Sequence, residues 1–229
     1  TGDEAAVPIV LFRDERSGLV LVPAGDGFEV SGEAIAHVDV DEYLHSERVI
    51  SDVLDAWEND DPFLRVAPAE ALHDPSLPDD IFTARQFRLP FPNGMPDTKR
   101  VEVLGAYLPL LRKNMLSHKV GKSFFKTGIA GLIPKIHAGS FGKDAPPLSV
   151  PVNHDIVVLH FHAQDKAAWL DALPHRAING AYRFNEPLAA FFEDATPDQI
   201  NAFYDATQTA RPELVAALAR HGLLVEAEL

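Results

Sequence analysis

A chain of 229 residues with 34 Asp and Glu against 20 Lys and Arg has a formal charge of −14, and 46% of its residues are apolar. That length buries a proper core and the apolar fraction is that of a globular rather than a disordered chain, while so acidic a surface disfavours nucleic acid and anionic lipid as partners. The lack of cysteine removes disulfides, zinc–thiolate sites, iron–sulfur clusters and thiol catalysis, and suits a reducing, cytoplasmic setting.

No run approaches the roughly 20 apolar residues of a membrane span, so none is expected. The N-terminus has no signal-peptide pattern, and a start at Thr1 implies sequence upstream. In chain order, Pro8–Phe12 reads as a strand, Asp14–Gly18 as a turn and Leu19–Val22 as the hairpin partner. Ala34–Val40 is a third strand that runs straight into Asp41 and Glu42. Ser46 has the chemistry of an N-cap, and Val49, Ile50, Val53, Leu54 and Trp57 follow at helical spacing, which predicts a helix of about three turns. Residues 62–80 hold four prolines and read as a surface connection.

Ile81–Phe91 alternates as a strand with one wet face, and Val101–Met115 has helical periodicity with a kink at Pro109. Short strands are expected at Ser123–Lys126, Leu132–Ile136 and Ile156–Phe161. Everything after that reads as helical: Asp165–Leu173, Glu186–Asp194, Pro197–Thr207 behind a Thr196 cap, and Pro212–His221 closed by Gly222. The fold class is therefore α/β with a mixed sheet over residues 1–163, followed by a C-terminal helical segment over 164–229.

Three groups of residues could carry chemistry. His37-Val38-Asp39-Val40-Asp41-Glu42 ends a strand in three carboxylates, and Asp39 and Asp41, at i and i+2, share a face. Two hard oxygen ligands suit Mg²⁺ or Mn²⁺; the competing reading is a strand end followed by solvated acids. His160 and His162 share a face where the apolar run 156–159 ends, and such a pair either ligates a metal or divides into one core and one surface histidine. Seven of the 20 Lys and Arg fall within residues 112–143, among five glycines, as a phosphate-holding loop or as a solvated basic face. P-loop, dinucleotide, nucleophile-elbow and H-E-x-x-H motifs are absent.

The order HVDVDEYL (37–44), HKVGKSFFKTGI (118–129), IHAG (136–139), VVLHFHAQDKAAWL (157–170) and INGAYRF (178–184) resembles the second half of bacterial family-2-like glycosyltransferases with the GT-A fold. The resemblance spans about residues 35–224 and implies a GT-A-like sheet. It implies a metal-dependent enzyme that moves a sugar from a nucleotide-sugar donor to a glycan acceptor, in polysaccharide biosynthesis. It places Mn²⁺ or Mg²⁺ on Asp39 and Asp41, with His160 and His162 as further metal or diphosphate ligands and Lys122 and His118 beside the donor phosphates. An inverting member also needs a carboxylate base, for which Glu42 and Glu102 are the candidates. Two βαβ units of about 30 residues each do not fit before Asp39, so a nucleotide-binding half is expected upstream of Thr1 or in reduced form. A non-catalytic binding domain on the same scaffold, and a metal-dependent phosphoester hydrolase, are the alternatives.

Overall fold

The computed structural model describes residues 9–14, 18–23, 34–39, 41–57, 61–117, 119–135, 137–142 and 144–228. The elements in chain order are β1 (Ile9–Asp14), β2 (Gly18–Pro23), β3 (Ala34–Val38), β4 (Glu42–His45), α1 (Ile50–Asp55), β5 (Phe63–Ala71), β6 (Gln86–Arg88), α2 (Asp97–Leu104), β7 (Lys122–Lys126), β8 (Leu132–Pro134), β9 (Gly139–Phe141), β10 (Val152–His160), α3 (Lys166–Ile178), α4 (Glu186–Asp194), α5 (Pro197–Thr207), α6 (Pro212–Arg220) and β11 (Leu224–Glu226). The chain is mixed α/β, with a sheet of mixed direction and C-terminal helices. It divides into two units, residues 1–68 with 120–158 and residues 69–119 with 159–229. Among the described residues no helix is long and apolar enough to cross a membrane.

In the first unit β1 pairs antiparallel with β2, Leu11 opposite Leu21, and with β3, Leu11 opposite Ala36. β3 pairs with β7, and β7 with the first half of β5, Phe63 opposite Phe125. Alternation along β3 buries Ala34, Ala36 and Val38 and turns Ile35 and His37 to the other face. The buried face packs with Phe63, Val66, Phe124, Phe125, Ile156 and Val158, and with Val53, Leu54 and Trp57 from α1 and just beyond it. α1 is shorter than the expected three turns. It starts at Ile50 behind Val49, which makes no side-chain cap, because the Ser46 hydroxyl accepts from the Arg48 amide two residues on.

The second unit is built on aromatic packing. Trp169 of α3, Tyr182, Leu188 of α4, Phe203 and Tyr204 of α5 and Leu218 of α6 are all at most 1% exposed, and each large apolar side chain so buried contributes about 1.5–3 kcal/mol. Thr196 and Gln199 form a reciprocal capping box on α5, and Gly222, at φ 66°, ends α6.

β3 ends at Val38, short of the expected Val40, and four further sequence expectations differ from the structure. The proline-bearing stretch after Pro62 is not a surface connection over its first half but β5, whose Val66 and Ala69 are wholly buried. Pro68 lies between the residues paired with β7 (63–66) and those paired with β6 (70–71), so neither of these two ladders asks it for a donor. Of the predicted strand 81–91 only Gln86–Arg88 pairs as a strand, since the Asp80 carboxylate accepts from the Phe82 amide and folds Ile81–Thr83 into a 3-10 turn. The helix predicted over 101–115 begins at Asp97 and stops at Gly105, φ 54°, after which Pro109 lies in a 3-10 segment. The C-terminal stretch is not helical to its end. β11 returns to pair with β6, Val225 opposite Phe87.

Candidate functional site

The end of β3 is held by a cation that the sheet supplies. Lys122 opens β7 and is 1% exposed; its Nζ donates to Asp39 Oδ2 at 2.7 Å and lies 3.0 Å from Glu42 Oε2. The Glu42 carboxylate, 0% exposed, also accepts from the Asp39 amide at 2.9 Å, while the Asp39 carbonyl accepts from the Glu42 amide. This reciprocal turn fixes Asp39 with its carboxylate 45% exposed, the His37 ring 3.7 Å from its other oxygen. Asp41 occupies the turn itself and is half-buried. Lys122 reaches this position because Gly121, at φ 72°, passes so close to β5 that a Cβ there would overlap the Val66 carbonyl oxygen.

In the second unit β10 delivers two imidazoles at its end. His160 is 5% exposed and its ring centroid lies 5.3 Å from that of His162, with a ring nitrogen of each within 4.8 Å of the other's. His160 Nδ1 meets Ser117 Oγ at 3.0 Å, and the Ser117 hydroxyl donates to Glu70 Oε1 at 2.5 Å. Glu70, on β5, also accepts from the Leu116 and Ser117 amides and from two guanidinium nitrogens of Arg88, at 3.1 and 2.6 Å. Burial on its own would raise the Glu70 carboxyl, but Arg88 and these donors outweigh it and hold the group at about 2, below the ordinary 4.5. Arg88 is itself 0% exposed and also donates to the Thr207 carbonyl and the Gln208 side chain. His162 Nε2 lies 2.7 Å from the Tyr182 hydroxyl, which accepts from Trp169 Nε1 at 2.9 Å. Burial pushes that phenol well above its usual range.

The sequence candidates are thus distributed over both units. Asp39, Asp41, Glu42 and Lys122 belong to the first, His160, His162 and Glu102 to the second. Lys122 is engaged by two carboxylates. Glu102, on α2, accepts from His221 at 2.8 Å with Arg220 at 3.8 Å. His118 and Lys143 lie outside the described residues. Other members of the basic stretch have local duties: Lys113 donates to Asn93, and the Lys126 ammonium sits 4.7 Å from the centre of the Trp57 ring.

The buried partners Glu70, Arg88 and Ser117 were not apparent as site residues in the sequence. The signal was present, since Glu70 is a lone acid in the run Val66–Leu72 and Arg88 a lone base between Phe87 and Leu89. A charge inside an apolar strand needs a partner. No family model matches the chain, and no curated protein or solved structure matches it either.

Proposed function

We propose that the chain is a divalent-cation-dependent, GT-A-like glycosyltransferase that acts on a nucleotide-sugar donor and a glycan acceptor. The observation that carries the reading is the pair of imidazoles, His160 and His162, with ring nitrogens within 4.8 Å of each other at the end of an apolar strand. The motif order supports it, with Asp39 and Asp41 following another strand end. Imidazole nitrogen suits Mn²⁺ better than Mg²⁺, which prefers an all-oxygen shell. When bound, such a cation offsets the charge that develops on a nucleoside-diphosphate leaving group.

The chain's own residues have separable parts in this reading. Lys122 and Glu42 hold Asp39 at a fixed angle while leaving its carboxylate partly in solvent. Ser117 anchors His160 through Nδ1. Titration calorimetry of UDP in the presence of Mn²⁺ tests the proposal on the full chain. The expected result is a UDP heat that needs Mn²⁺ and disappears in Asp41→Ala; equal heats from wild type and variant would overturn it.

A further inference from the structure

A cavity of about 240 Å³ opens in the second unit, with Phe91, Leu108 and Leu111 as its apolar lining and Asn93, Arg100 and Lys113 as its polar one. None of the described residues that line it is acidic. In a chain with 34 Asp and Glu against 20 Lys and Arg, two bases on one small concavity reverse the prevailing sign of charge.

The way Lys113 arrives there is costly. Residues 112–115 form a tight turn, closed by the Met115 amide on the Arg112 carbonyl at 3.1 Å, and its central residues Lys113 and Asn114 have φ of 53° and 73°. A turn with two left-handed residues favours Asn or Gly at both. Asn114 conforms, whereas Lys113 places a long side chain where a Cβ is strained. The turn is tied down on both sides, since the Lys113 carbonyl accepts from the Phe91 amide and the Asn114 side chain donates to the Leu89 carbonyl, each at 2.9 Å. Strain held in place by its surroundings is a mark of functional positions. The ammonium donates to Asn93 Oδ1 at 2.6 Å, a neutral oxygen that leaves its charge unbalanced.

Arg100, on α2, is under-used in the same way. Its Nε is buried with no acceptor. Its ion pair is with Asp97, 3.2 Å from Nη1 and 85% exposed, a surface contact three residues away that a better-matched anion readily displaces.

We propose that this cavity binds a small phosphate monoester, with Arg100 and Lys113 as its two cations and Phe91, Leu108 and Leu111 against the organic body. A phosphate monoester carries close to two negative charges at neutral pH and three accepting oxygens, which suits a guanidinium and an ammonium together. A carboxylate has charge for one of them. The site goes beyond the proposed transferase reading and needs neither a divalent cation nor Asp39, Asp41, His160 or His162.

Titration calorimetry on the full chain, in the presence of a chelator, tests it with phenyl phosphate, inorganic phosphate and benzoate. Phenyl phosphate is expected to bind, and the other two to bind at least about tenfold more weakly, one for want of an apolar body and one for want of charge. Arg100→Gln and Lys113→Asn are each expected to weaken phenyl phosphate about 10–100-fold. Lys99→Gln, which removes an exposed charge from α2 outside the cavity, keeps it within a few-fold. Lys113→Asn also puts the favoured residue into the turn, so it is expected to melt no lower than wild type while losing the ligand. No heat from phenyl phosphate, or wild-type affinity in both Arg100→Gln and Lys113→Asn, overturns the proposal. Benzoate binding as tightly as phenyl phosphate overturns the choice of phosphate, and a lower melting temperature for Lys113→Asn overturns the reading of its strain. Chelator-resistant phenyl phosphate binding beside a failed Mn²⁺-dependent UDP titration would leave this site standing and the proposed function not.

Discussion

Replacing Glu70 by Gln tests the polar core of the second unit. The carboxylate is 2% exposed, receives two bonds from a wholly buried Arg88, and is depressed from 4.5 to about 2. At about 1.4 kcal/mol per pKa unit, that depression is worth about 3 kcal/mol at neutral pH. The sign follows from the two states. Below 4.5 the unfolded carboxyl takes up a proton that the native one refuses until about 2, so this stability is complete above pH 4.5 and is lost as pH falls from there through 2. A Gln at 70 removes the charge and turns an amide N–H₂ toward guanidinium donors, leaving Arg88 as a buried cation without its counter-charge, a loss of about 3–5 kcal/mol.

Urea unfolding of wild type and Glu70→Gln at pH 7, 5, 4 and 3 reads both effects, because the other carboxylates cancel in the difference. The gap between the two proteins is expected at about 3–5 kcal/mol at pH 7 and to shrink as pH drops below 4.5. A gap under about 1 kcal/mol at pH 7, or one that is unchanged at pH 3, would refute the assignment of an ionised, clamped carboxylate.

Lys122→Met keeps the aliphatic stem but takes the cation from the Glu42 carboxylate, which is 0% exposed; a loss of about 3 kcal/mol in urea is expected, and a wild-type midpoint would count against the Lys122 clamp. Gly121→Ala forces a Cβ to within 2.0 Å of the Val66 carbonyl oxygen at a φ of 72°. A left-handed non-glycine alone costs about 1–2 kcal/mol, so thermal melting is expected at least about 2 °C lower, and an unchanged transition would show that the β5–β7 approach relaxes freely.

The elements legible in the sequence were those whose signals are local. Glu186–Asp194 and Pro197–Thr207 have the predicted bounds, because each combines a periodic apolar face with a proline in its first turn, and Thr196 adds its cap to the second. The β1–β2 hairpin follows from two apolar runs around a turn. What escaped depends on distant residues. β5 was hidden by its prolines, because a proline's tolerance is decided by which neighbour needs a donor at that point, and that is a property of the pairing. β11 is three residues long and extended only through β6. The strand-end acids and the two histidines stood out through their period-2 spacing, but β3 ends at Val38 and β10 at His160, so Asp39, Asp41 and His162 lie beyond the strands whose face they were expected to share. Glu70 lies 46 residues before Leu116 and 47 before Ser117, whose amides donate to it, and no shared period links them.

The buried ion pairs also alter what the net charge means. Lys122 with Glu42 and Arg88 with Glu70 are internal pairs whose charges cancel within the core. The formal −14 is therefore carried by the remaining, more exposed groups, and the field outside the chain is no less acidic for having basic residues inside. Such a field concentrates divalent cations and repels a nucleoside diphosphate. Selection among cations cannot come from that field, which acts on all of them alike. Under the proposed function it falls to the donor atoms, and an imidazole nitrogen separates Mn²⁺ from Mg²⁺ where carboxylate oxygen accepts both.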